Sequence, residues 1–223
     1  FHMRFNQSGE YLPLGKNHKT LDFSVSSETM LPSWLVASGS SPVVTFSSPA
    51  TSRGWVRTQT KSGTPTANDT AGIETAFNID YDKFEEVFFG VYSCCTDGPT
   101  AQDPTFAVES NAGGLGFYFA TTLIANGGTQ VRVYPGAVES LTWQLATESN
   151  WTKRKDLGVV IRPRTKEFAI YTGDPAEGAG CIYYSKGAWN NPGPIPLRVK
   201  VTTQSAAQRY LELSRIKIRL SSN

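Results

Sequence analysis

Apolar and polar residues alternate with a period of two along much of this chain. Leu21, Phe23 and Val25 are interleaved with Asp22 and Ser24. Val131 and Val133 are interleaved with Gln130, Arg132 and Tyr134. A period of two sends successive side chains to opposite faces of an extended backbone, so each such run predicts a strand with one buried face. The same pattern predicts strands over 42–46, 54–60, 74–79, 116–120, 156–162, 167–171, 182–185, 197–202 and 210–220. Residues 84–92 (FEEVFFGVY) are too continuously apolar for a strand with one wet face, and predict the centre of a sandwich.

Turn signals separate these runs. Asn126-Gly127-Gly128 precedes the 129–134 strand as a hairpin signal, and Pro163 to Lys166 forms a short turn between two strands. About twelve strands result, with turns at the spacing of a sandwich or barrel and no amphipathic helix. The predicted fold class is all-β: a two-sheet antiparallel β-sandwich of the jelly-roll type. The longer polar connectors, 60–72, 96–103, 173–180 and 185–196, are of a length that often carries function. No repeat or composition shift divides the chain. Residues 1–19 read as an N-terminal segment, in part a cloning remnant or linker, and 20–223 as one domain.

Composition supports the strand reading. The chain has 20 glycines and 13 prolines against 18% charged residues, which suits short strands and many turns better than helices. At 223 residues it can bury a substantial core without disulfide staples. A net charge of +2 with interspersed signs gives no basic stripe, so no nucleic-acid partner is expected. No apolar run approaches the roughly 18 residues of a spanning helix, so no membrane insertion is expected. Three cysteines are no disulfide framework. Either Cys94 or Cys95 bridges Cys181, or all three are thiols, and the odd count favours thiols.

One stretch carries a resemblance. The run Leu31-Pro32-Ser33-Trp34-Leu35-Val36-Ala37-Ser38-Gly39-Ser40 leads into a strand at 43–46 and then Trp55-Val56-Arg57. A Thr/Gly-rich loop follows, then Glu74-Thr75-Ala76-Phe77-Asn78-Ile79-Asp80, Phe84-Glu85-Glu86-Val87 and a closing Leu211-Glu212-Leu213-Ser214-Arg215-Ile216-Lys217-Ile218. These loose strand signatures resemble the concanavalin A-like lectin/glucanase jelly roll. More narrowly, they are similar to lectin-like modules of bacteriophage tail proteins.

The resemblance implies a carbohydrate-binding or receptor-recognition module of a phage tail or virion surface, located on the virion or outside the cell. Its partners would be a cell-surface glycan or polysaccharide and other tail or virion subunits, with a homotrimer as the implied assembly. The same superfamily holds structural modules and glycoside hydrolases, so fold likeness alone does not select among them.

Hydrolysis on such a sheet needs two carboxylates across the scissile bond. The Glu-x-Asp-x-x-Glu or Glu-x-Asp-x-Glu run that would place acids on one strand face is missing. A hydrolase or lyase with an atypical arrangement would draw on Glu74, Asp80 and Glu86. No catalytic residue is assigned.

Sugar binding asks for aromatic faces and planar polar groups. Strand parity nominates Trp55, Arg57, Tyr92, Tyr118, Arg132 and Tyr134, which would form one polar-aromatic surface if their strands lined a single sheet. The loop around Trp189 and Asn190 is the other candidate, with Trp189 either exposed for binding or folded down over the core. No cofactor is required by the sequence. Calcium is an open alternative, drawing on the oxygen-rich loops at 97–103 and Asn68-Asp69.

Overall fold

The computed structural model describes residues 4–5, 11–12, 17–25, 30–46, 54–60, 66–96, 105–112, 115–123, 129–134, 141–145, 155–187, 189–203 and 205–222. At 4–5, 11–12, 17, 105, 118–123, 129–134 and 141–145 the description is of the backbone.

The strands, in chain order, are β1 (Arg4–Phe5), β2 (Tyr11–Leu12), β3 (Asn17–Ser24), β4 (Leu35–Gly39), β5 (Val43–Phe46), β6 (Val56–Gln59), β7 (Thr70–Thr75), β8 (Glu86–Thr96) and β9 (Thr105–Ala112). They continue with β10 (Leu115–Leu123), β11 (Thr129–Tyr134), β12 (Leu141–Leu145), β13 (Lys155–Arg162), β14 (Glu167–Tyr171), β15 (Cys181–Lys186), β16 (Arg198–Thr202), β17 (Tyr210–Leu213) and β18 (Arg215–Ser222). Two short 3-10 turns, Tyr81–Lys83 and Pro175–Glu177, are the helical elements among the described residues.

β1 and β2 pair with each other, and the remaining strands form two antiparallel sheets. The seven-stranded sheet has the order β12-β11-β10-β9-β16-β7-β4. The nine-stranded sheet runs β15-β14-β13-β8, and β8 then pairs along its other edge with both β18-β3 and β17-β6-β5. One apolar core joins the sheets: Ile73, Val108 and Val199 of the first pack in the same cluster as Phe89, Val91 and Ile161 of the second. Phe117 and Phe168 meet across it, with ring centroids 5.4 Å apart.

β8 explains why the two edges meet as they do. Val87, Phe89 and Val91 face the core, and so does Cys94, which breaks the alternation. The break is a bulge: the register with β13 shifts between Lys155 and Leu157, and Ser93 adopts a φ of 48°. The Ser93 amide donates to the Asp156 carboxylate at 2.7 Å. Beside the bulge, β8 exchanges β18 for β17, and the Ser214 amide donates to the Tyr92 carbonyl at 2.9 Å.

Residues 210–220, predicted as one strand, are therefore two. Leu211 and Leu213 point inward from β17, whereas Ile216, Ile218 and Leu220 do so from β18. The inward positions change parity across Ser214.

The other departures are local. The predicted strand at 74–79 is displaced to Thr70–Thr75. Thr75 Oγ1 donates to the Phe77 carbonyl at 2.7 Å and accepts from the Leu197 amide at 3.1 Å, which turns the chain out of the sheet. β1, β2, β4, β9 and β12 were not predicted.

On its far side from the core, the nine-stranded sheet carries a strap of residues 172–180. Gly90 and Gly158 are register partners beneath it. A Cβ on Gly158 would lie 2.0 Å from the Gly173 carbonyl oxygen, so only glycine admits the strap at this height. Asp174 pins the strap, accepting from Lys217 at 2.7 Å and Arg219 at 3.0 Å. Burial opposes its charge, but the bonds from Lys217, the Ala176 amide and Arg219 outweigh this and hold the carboxyl below the usual aspartate value.

All three cysteines are thiols. Cys94 and Cys95 are buried on β8, and Cys181 is exposed on β15. β8 and β15 lie three strands apart, roughly 14 Å at the usual inter-strand spacing and beyond disulfide reach.

Candidate functional site

Strand alternation turns Glu74 of β7, Arg198 and Lys200 of β16 and Glu109 of β9 away from the core, since Ile73, Val108, Val199 and Val201 between them point inward. Antiparallel register aligns these residues. Glu74 is the backbone partner of Arg198, and Arg198 of Glu109. The row continues from Glu109 to Tyr118 and then Tyr134. A second row runs Ser38, Gly72, Lys200, Ala107, Ala120, Arg132 and Thr142.

The described side chains form a charge cluster. Arg198 Nε donates to Glu74 Oε2 at 2.6 Å, and Arg198 Nη1 to Glu109 Oε1 at 3.0 Å. Lys200 Nζ lies 2.8 Å from the same Glu109 oxygen, and Ser38 Oγ donates to Glu74 Oε2 at 2.8 Å. The Glu109 side chain is 5% exposed and that of Arg198 34%. A buried carboxylate is thus met by two cations, as its desolvation demands. Burial works against the Arg198 charge, but the bond to Glu74 and then the Glu74 and Glu109 charges push its guanidinium above the ordinary value.

Chemically, this face offers charged and hydroxyl hydrogen-bonding groups at fixed cross-strand spacings. In the second row Gly72 lets the neighbouring strand pack closely against it. A Cβ on Gly72 would stand 2.8 Å from Lys200 Cβ and 2.2 Å from the Val199 carbonyl oxygen.

The six parity-nominated residues do not share a sheet, because β6 and β8 belong to the nine-stranded sheet and β10 and β11 to the seven-stranded one. Tyr118, Arg132 and Tyr134 sit together by register on β10 and β11; their side chains lie outside the described residues. Trp55 and Arg57 are brought together elsewhere. The Arg57 guanidinium stacks over Trp55 at 4.8 Å and over Tyr210 at 4.1 Å, and its Nε donates to Glu212 Oε1 at 2.8 Å. Tyr92, expected at the surface, is 8% exposed with Arg215 stacked on its ring at 4.9 Å. Burial, then the Asp174 and Glu177 carboxylates, push its phenol up.

Trp189 takes the second of its two sequence readings. It is 2% exposed and meets Tyr81 edge-on at 5.0 Å. Asn190 is exposed, and its carbonyl accepts from the Gly116 amide at 2.9 Å, tying the loop to the start of β10.

Glu109, Arg198 and Lys200 escaped the sequence reading. Arg198-Val199-Lys200-Val201 alternates cleanly and could have nominated the two cations, but β9 was missed, and Glu109 with it.

The acids set aside for hydrolysis do not converge. Glu74 binds Arg198 on the seven-stranded sheet, Asp80 pairs with Lys83 at 3.1 Å in a turn, and Glu86 binds Arg162 on the nine-stranded sheet. Of the oxygen-rich loops, 97–103 lies outside the described residues. Asp69 spends its two oxygens on the Thr66 amide and hydroxyl, at 2.8 and 3.0 Å. Among the described residues, no three His, Cys, Asp or Glu side chains cluster as metal ligands do.

No protein-family model matches the chain, and no curated protein matches it by sequence. Solved structures do match its fold. A lectin from Bauhinia forficata in complex with GalNAc superposes with a TM-score of 0.56 at 10% identity, covering 92% of this chain and 100% of that one. The Emp47p carbohydrate recognition domain gives 0.55 at 8% identity, covering 90% and 94%. A Bacillus licheniformis beta-glucanase gives 0.53 at 8% identity, covering 92% and 97%. The two-sheet sandwich and these superpositions agree: the chain has the concanavalin A-like fold.

Proposed function

We propose that this chain is a carbohydrate-binding module that holds a glycan along the outward face of its seven-stranded sheet. One observation carries the reading. The Glu74–Arg198–Glu109 row is in continuous register with Tyr118 and Tyr134, so ionic hydrogen-bonding groups and two aromatic positions stand on adjacent strands. Carboxylates and guanidinium take sugar hydroxyls bidentately, tyrosines stack on pyranose faces, and Arg132 extends the polar set in the next row. The fold neighbours include proteins whose names are those of lectins and of a carbohydrate recognition domain. A glycan array followed by calorimetric titration of the best ligand tests this. Arg198→Ala abolishing binding supports it, and absence of binding at millimolar glycan overturns it.

The finer reading is receptor recognition on a phage tail or virion surface, acting outside the cell and assembled as a homotrimer with other tail subunits. It is supported by the strand-signature resemblance, and light scattering and whole-cell binding test it.

A purely structural module is favoured by a separate observation: Glu74, Arg198, Glu109 and Lys200 satisfy one another. It predicts that Arg198→Ala changes stability with no glycan to lose.

A further inference from the structure

Between Glu28 and Arg53 no residue is charged, against 18% over the whole chain. This stretch supplies two edge strands. β4 ends the seven-stranded sheet and β5 ends one branch of the nine-stranded sheet. Among the described residues each is paired on one side only, β4 with β7 and β5 with β6. Ser40 to Pro42 joins them, with the Ser40 amide donating to the Thr70 carbonyl at 2.9 Å and Ser41 at a φ of 54°. The two sheets therefore end on one flank of the sandwich.

That flank is apolar as well as neutral. Met30, Val36 and Val43 are 69%, 40% and 37% exposed, three of the six exposed large apolar side chains among the described residues. Leu35 and Ala37 share the inward parity of β4, yet Leu35 is buried and Ala37 exposed, so the core opens toward solvent along this edge. Leu31, Trp34, Val44 and Phe46 pack on the core from the same stretch and are only partly covered. Proteins guard open strand edges with charges or bulges. β3 carries Lys19 and Asp22, and β15 carries a bulge and Lys186. β4 and β5 carry neither charge nor bulge.

We infer that this flank is the surface through which copies of the chain associate, the β4 and β5 edges of one copy meeting those of the next. Charge selects the occupant. A foreign surface, roughly a quarter charged, would bury charges here with nothing to pair them. The same flank of a second copy brings none. Strand addition is also self-complementary, since an antiparallel edge pairs with its own copy through the same main-chain groups. The surface is the same for two copies or three, and Arg198 and Glu109 of the proposed glycan face lie outside it.

Light scattering on the eluting chain, with amide exchange at high and low concentration, tests this. A mass at least twice the monomer's is expected in concentrated solution, with slower exchange in β4 and β5 than in dilute solution. Val36→Lys and Val43→Lys place charges at exposed positions of the flank and should each weaken association about tenfold or more, together returning the mass to the monomer's. Thr45→Lys, at an exposed polar position of β5, should weaken it without removing an apolar side chain. Urea midpoints establish that each variant is folded. Ile182→Lys, equally exposed but on β15, should leave the mass unchanged, as should Arg198→Ala. A chain that is monomeric at every concentration, or an oligomer that survives the paired Val36→Lys and Val43→Lys substitutions, overturns the inference. Either result leaves the glycan reading standing.

Discussion

Arg198 donates through Nη1 to Glu109 at 3.0 Å, from one strand to the next on the outward side of the seven-stranded sheet. The contact holds a nearly buried carboxylate in a face that the alternation of β9 and β16 turns away from the core. Arg198→Ala would leave Glu109 to Lys200 alone. A loss of about 1–3 kcal/mol is expected in urea unfolding, together with loss of glycan binding. Arg198→Lys should recover part of the stability but not binding, since an ammonium cannot bridge Glu74 and Glu109 through separate nitrogens.

The strap makes stability depend on acid. The Asp174 carboxyl is held below its ordinary value, so its contribution is present above the unfolded aspartate pKa of about 3.9. It is lost as pH falls through the lower, folded value. Asp174→Asn should be less stable than the parent at neutral pH, and the gap should close as pH falls below about 4. Urea midpoints across pH measure this, and a gap that widens in acid would contradict it.

Gly158→Ala probes the same contact sterically. Its Cβ would lie 2.0 Å from the Gly173 carbonyl oxygen, so the strap must lift. A loss of about 1–3 kcal/mol is expected from urea unfolding. Amide exchange should rise in residues 172–180 and stay unchanged in β16.

Trp189 separates packing from recognition. Buried at 2% exposure against Tyr81, its removal as Trp189→Ala should cost about 3–5 kcal/mol. Trp189→Phe, which keeps a ring against Tyr81, should stay folded and retain glycan binding. A folded Trp189→Phe variant that loses binding would return this residue to the site.

Thiol reactivity follows burial. Cys181 should react with a disulfide reagent in the native state, and Cys94 and Cys95 only on unfolding.

The sheets were legible because burial on one face of a strand writes a period of two into the chain. β11 and β14 fall at their predicted bounds for this reason. Legibility failed where phase changed. Leu211 and Leu213 occupy odd positions and Ile216, Ile218 and Leu220 even ones, a slip that marks the break at Ser214.

The site was harder to read. Parity assigns residues to a face of a strand but not strands to a sheet, so Trp55 and Tyr118 looked alike while lying on different sheets. Tyr92 and Trp189 looked available because composition does not record that Arg215 covers one and the sandwich buries the other. Glu109 and Arg198 meet only through strand order, which local patterning does not encode.

The most direct test maps amide chemical shifts on titrating the 15N-labelled chain with the best glycan from an array. Shifts concentrated in β7, β16, β9, β10 and β11, and lost in Arg198→Ala, are the expected result. Shifts confined to the nine-stranded sheet, or none at saturating glycan, would contradict it.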